Sequence, residues 1–217
     1  MKVCLVTNKS VDEFKKEQSE NSEAIVFSFK GIKELNYKKE LKGETEELVK
    51  IGKLSRESGS IVISGCVSDN YGTKRLSAVI ADKGRIVSIA DMTSKSLKEE
   101  YSSGGGYKII TTSIGKIGVL VGNDLFSPVA VKGMSLFEAD IVICVFREVV
   151  DFKPSLIARA FSLLYGVPIC VCAENFCMAC AKGETLFSCP DDVHVHEILT
   201  KKTYKEVITR QRGEIFE

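Results

Sequence analysis

Short, unbroken apolar runs separated by charged stretches dominate the chain. Lys2–Thr7 (KVCLVT) and Ala24–Phe29 (AIVFSF) both show the pattern of a strand buried on two faces. About sixteen residues separate them, room for a short helix over Val11–Ser19 and little else. Leu35–Ser58 is rich in lysine and glutamate, with Leu41, Leu48, Ile51 and Leu54 spaced for an amphipathic surface helix beginning after Gly43. Its charges are mixed in sign, as on a solvated face. Ser60–Ser64 (SIVIS) predicts a third buried strand ending at Gly65.

Leu76–Ala81 and Arg85–Ala90 flank Asp82-Lys83-Gly84, whose turn chemistry predicts a β-hairpin. Tyr107–Ser113 and Lys116–Val121 predict a second hairpin around Ile114-Gly115. Beyond Gly122-Asn123-Asp124 the pattern predicts a helix over Ser127–Glu138, with Pro128 in its first turn. A strand (Asp140–Phe146), a helix (Pro154–Tyr165), three strands (Val167–Ala173, Thr185–Cys189, His194–Leu199) and a helix (Thr203–Arg212) follow. Strands alternate with helices at both ends while hairpins occupy the middle. Two mixed sheets packed face to face, with helices outside, fit that order better than one doubly wound sheet. With no repeat and no low-complexity linker, residues 1–217 read as a single α/β domain with a shortened N-terminal helix region.

Composition narrows the function classes. Thirty basic residues face twenty-nine acidic ones, a net charge of +1. That balance argues against binding driven by nucleic-acid phosphates or by an anionic membrane surface. No apolar run approaches the ~18 residues of a membrane span. The apolar run in MKVCLVTNKS is too short for a secretory signal, so a cytoplasmic location is expected. Eight cysteines are many for 217 residues, but Cys4, Cys144, Cys170 and Cys172 lie inside apolar runs and read as small buried hydrophobes. In a reducing compartment they stay thiols.

The segment KIGVLVGNDLFSPVAVKGMSLFEADIVICVF, Lys116–Phe146, resembles the nitrilase, or carbon–nitrogen hydrolase, superfamily. The family pattern there is a strand G-V-x-I-C-Y-D, a proline-containing turn, a helix and an A-D strand; Gly118-Val119, Asp124, Pro128 and Ala139-Asp140 fall on it. Other partial matches keep the family's order: the hairpin ending GRIVSIADM, Glu100 to Gly104 as the E-x-x-x-G turn, Ile157 to Ala160, and Gly183-Glu184-Thr185 before Pro190. The resemblance implies a four-layer αββα sandwich. It also implies a homodimer formed through the outer helices 127–138 and 154–165.

The family hydrolyses amides, nitriles or ureido compounds with a Cys–Glu–Lys triad. A thiolate attacks, a carboxylate relays the proton, and an ammonium stabilises the charge that develops. In this chain the cysteine's place is Gly122, the lysine's place, counted from Gly84, is Met92, and the glutamate's place is Phe29. None can supply acid, base or nucleophile. Lys95 stands three residues beyond Met92, and Glu34 five beyond Phe29 is a poor substitute. The resemblance therefore implies a binding or scaffold protein, a pseudoenzyme, with Phe29, Cys66, Met92, Glu100, Gly122, Asn123 and Asp124 around the former pocket and a small molecule as its ligand. An alternative keeps amidohydrolase activity in one of two forms, with the lysine role shifted to Lys95 or with a relocated nucleophile, Cys66, and Glu100 as its base.

Two clusters are weighed separately. Cys177 and Cys180 form a C-x-x-C pair that Cys189 could extend toward a zinc or redox site. The missing second C-x-x-C favours reduced thiols. His194 and His196 share a strand face with Glu197 in reach, but a solvent-facing alternation with Val193 and Val195 inward is the expected arrangement. Gly104-Gly105-Gly106 lacks the context of a phosphate loop and reads as a turn. No metal and no cofactor is expected.

Overall fold

A computed structural model describes residues 1–94 and 100–200. The chain opens with β1 (Lys2–Val6), a 3-10 turn (Lys16–Ser19), β2 (Ala24–Phe27) and β3 (Glu34–Asn36). Helices α1 (Tyr37–Leu41) and α2 (Glu47–Ser58) precede the meander β4 (Ile61–Asn70), β5 (Thr73–Asp82) and β6 (Arg85–Asp91). The second half contains β7 (Lys108–Thr112), β8 (Gly115–Val121), a 3-10 turn (Gly122–Phe126), α3 (Pro128–Leu136), β9 (Ile141–Val145) and α4 (Lys153–Leu164). It continues with β10 (Ile169–Ala173), β11 (Phe176–Ala181), β12 (Glu184–Cys189) and β13 (Val193–Glu197).

These strands form two mixed sheets. The first runs β13-β1-β2-β4-β5-β6, with β3 paired to β4; the second runs β12-β11-β10-β9-β8-β7. Each has a parallel centre and antiparallel flanks: β1, β2 and β4 are parallel in one, β8, β9 and β10 in the other. Strand alternation divides the core into three layers. Ile61, Ile63, Ile141, Ile143, Cys170 and Cys172 point between the sheets. Their neighbours Val142, Cys144, Val171 and Ala173 turn toward α3 and α4, while Val62 and Cys66 join Ile51 and Leu54 of α2 outside the first sheet. The result is the expected αββα sandwich. Each fully buried Ile or Leu contributes about 1.5–3 kcal/mol.

Four local expectations are corrected. The Val11–Ser19 helix is reduced to the 3-10 turn, because its two apolar residues, Val11 and Phe14, are spent anchoring the segment to the sheet; Phe14 meets Phe27 edge-on at 5.3 Å. The helix expected after Gly43 is α2, but the stretch before it, given no element of its own, holds β3 and α1. The third strand continues past Gly65 to Asn70, since its polar end pairs residue by residue with β5 around Tyr71-Gly72, both at positive φ (52° and 90°). Finally, Cys177 to Cys180 lie on a strand, β11, in a stretch between Ala173 and Thr185 for which no element was expected. The helix expected over Thr203–Arg212 lies outside the described residues.

Candidate functional site

Strand β8 ends at Val121, and Gly122 turns the chain sharply into the 3-10 turn with φ of +54°. A strand-to-helix elbow of this kind presents the first turn residue at the end of a sheet, the geometry used for nucleophiles in hydrolases. Here that residue has no side chain. The space where a Cβ would stand is closed by Met92, whose Sδ would lie 3.1 Å from it. Met92 follows β6 and is held by its amide donating to the Leu76 carbonyl at 2.8 Å. Two residues beyond Gly122, the Asp124 carboxylate is 1% exposed. It accepts hydrogen bonds from the Thr93 amide (2.9 and 3.0 Å), the Thr93 hydroxyl (2.8 Å) and the Ser94 amide (2.6 Å). Asp124 thus brackets the elbow to the segment carrying Met92, a positioning role that leaves its oxygens engaged.

Phe29, just beyond β2, is buried between the sheets, its ring lying over Gly65 where a Cβ would be 2.6 Å from Cδ2. Met92 and Phe29 therefore enter the same inter-sheet layer, one against Gly122 and the other against Gly65. Asn123 is half-buried on the 3-10 turn and Glu100 is exposed. Next to Glu100, Tyr101 packs on the inter-sheet core and its hydroxyl accepts a hydrogen bond from Arg147 Nη1 at 3.2 Å. Thr93, Ser94 and Arg147 carried no signal in the sequence, because each acts on a partner more than twenty-five residues away. Lys95 lies outside the described residues.

Cys66 is not at this elbow. Gly65 faces inward on β4, so its neighbour Cys66 points to the opposite face, into the layer under α2. It is 0% exposed, and burial, with the Asp91 carboxylate adding to it, pushes the thiol up to about 12. The nearby charge disfavours a thiolate, and it comes from Asp91, not from Glu100. The Cys66 reading is corrected accordingly. Glu34 is likewise exposed, on β3.

The remaining clusters divide by strand face. Cys177 points between the sheets and Cys180 toward α4, so the C-x-x-C residues cannot share an ion or a disulfide. His194 and His196 do share a face of β13, their rings 6.0 Å apart, but they are half-buried rather than solvent-facing. Both stack on Phe187 of β12, at 4.2 and 4.8 Å, while Val193 and Val195 pack on the layer outside the first sheet.

This sandwich, with its elbow at the end of a central strand, is the fold of the nitrilase superfamily. Saccharomyces cerevisiae Nit3, a member of branch 10 of that superfamily, matches with a TM-score of 0.76 at 15% identity, covering 100% of this chain and 95% of Nit3. The amidase of Nesterenkonia sp. AN1, in a cysteine-to-alanine variant holding butyramide, matches with a TM-score of 0.76 at 13% identity, covering 99% of this chain and 95% of the amidase. The glutamine-dependent NAD+ synthetase of Acinetobacter baumannii matches with a TM-score of 0.74 at 13% identity; 89% of this chain is covered but only 44% of the synthetase. No family sequence profile matches the chain, and no curated protein matches it by sequence. Among the described residues no helix is long and apolar enough to cross a membrane.

Proposed function

We propose that this protein is a carbon–nitrogen hydrolase relative that has given up the triad chemistry and acts as a binding or scaffold protein. The observation that carries this reading is the elbow itself: a glycine at the nucleophile's place, with the Met92 thioether against it. A thioether and a phenyl ring supply dispersion and apolar burial, and neither can relay a proton. Asp124, a buried carboxylate beside the elbow, is occupied by the Thr93 and Ser94 donors. A small molecule at this end of the sandwich would be held by shape and by the polar groups of Asn123 and Tyr101. The near-balance of charge supports neither a nucleic-acid nor a membrane-surface partner. Cytoplasmic residence and a homodimer through α3 and α4 belong to the same proposal.

The test is ammonia release by the purified protein over a panel of amides, nitriles and ureido compounds, butyramide included, beside an amidase with an intact triad. Release at the background rate is the expected result. Turnover that survives careful purification would reject the pseudoenzyme reading, and Glu100 and Tyr101 would then be the residues to substitute first.

A further inference from the structure

The free edges of the two sheets meet where β12 faces β13, the outermost strands of their sheets. Cys177 and Cys189 are direct partners in the β11–β12 pairing, with their sulfurs 3.4 Å apart. The chain then crosses to the first sheet through Asp191, whose carbonyl accepts the Thr7 hydroxyl at 2.7 Å while the next carbonyl accepts the Thr7 amide at 3.0 Å. That anchorage places Asp191 Oδ2 3.4 Å from His194 Nδ1. The ligand atoms of Cys189, Asp191 and His194 all lie within 4.8 Å of one another. The other ring nitrogen, His194 Nε2, is buried and has no hydrogen-bond partner.

We propose that Cys189, Asp191 and His194 form a three-residue site for one zinc-class divalent ion, which clamps the two sheet edges together. The donor set of one sulfur, one imidazole nitrogen and one carboxylate oxygen is of the kind zinc takes. Loading displaces the Cys189 thiol proton to solvent. One thiolate and one carboxylate balance the divalent cation, with the imidazole neutral. Phe187, stacked on His194, holds the ring in place. With three positions taken by protein atoms, the fourth is left to water. This site is independent of the triad reading, since it lies on other strands and makes no use of the elbow.

The experiment is a titration of reduced, metal-free full-length protein with cobalt(II), followed by displacement with zinc. One equivalent should bind, with the near-ultraviolet band of sulfur-to-cobalt charge transfer, intense visible bands of a tetrahedral ion, and a rise in the thermal midpoint. Cys189→Ser and His194→Ala should each weaken binding by about tenfold or more. Cys180→Ser, altered on the other face of β11, should bind as the parent does. Near-ultraviolet circular dichroism of the apo variants separates loss of the site from loss of the fold. Absence of the charge-transfer band, or a band that survives Cys189→Ser, would overturn the proposal. So would equal loss in Cys180→Ser.

Discussion

Cys66 and Gly122 show how a residue's chemistry is decided by the face on which its backbone places it. A cysteine near a strand end is a plausible nucleophile until alternation puts it under a helix, beside a carboxylate that discourages its ionisation. With its titration pushed up to about 12, Cys66 holds its proton throughout the neutral range, and the thiolate fraction grows only as pH climbs toward that value. In metal-free folded protein near neutral pH, a thiol reagent should therefore leave Cys66 unlabelled and react first at half-exposed Cys189, with the rest appearing on unfolding. Peptide mapping that finds Cys66 labelled in the native state would contradict this. Gly122 is the converse case. A side chain there would adopt a left-handed conformation, costing about 1–2 kcal/mol, and would press on Met92. The elbow is shaped for glycine as much as the sequence supplies one.

Elements were legible wherever their periodicity was self-contained. Strands β1, β2, β9 and β10 are unbroken apolar runs because both faces are covered, and their bounds fall within a residue or two of expectation. The outer half of β4 was hidden because Ser68, Asp69 and Asn70 are polar, and only pairing with β5 makes them a strand. Likewise β11 reads as a thiol motif until β10 and β12 pair with it. The ends of β2 and β6 carry Phe29 and Met92 into one layer, and this arrangement makes a quantitative prediction. Phe29→Glu and Met92→Lys each bury an unpaired charge and should destabilise by about 3–5 kcal/mol. Combined, they should destabilise by at least ~1 kcal/mol less than the sum, as opposite charges in one site couple. Strict additivity in urea unfolding would show that the two positions do not face a common site, and the triad mapping would fall with it.

At the scale of the whole molecule, the outer surface of α3 and α4 is unusually apolar. Val129 (74% exposed) and Phe137 (71% exposed), with Leu136 and Leu156, face outward on helices whose other sides already pack on the second sheet. Burying such side chains against a second copy would supply the apolar centre of a standard interface. Sedimentation should report a dimer, and Phe137→Glu with Leu156→Glu should yield a monomer of unchanged far-ultraviolet circular dichroism. A parent protein that stays monomeric at the highest concentration reached would refute this. Sequence alone determined the layer architecture, because the alternation of apolar runs, hairpins and amphipathic segments is a local record of which faces are covered. It also determined the residue types at Phe29, Met92 and Gly122, because chain order placed them. Only the tertiary structure decided that Cys66 points away from the elbow and that Cys177 parts from Cys180. It alone brought Cys189, Asp191 and His194 together across two sheets. Side-chain direction and long-range pairing depend on register between strands distant in the chain, and register is written in the packing of the sheets.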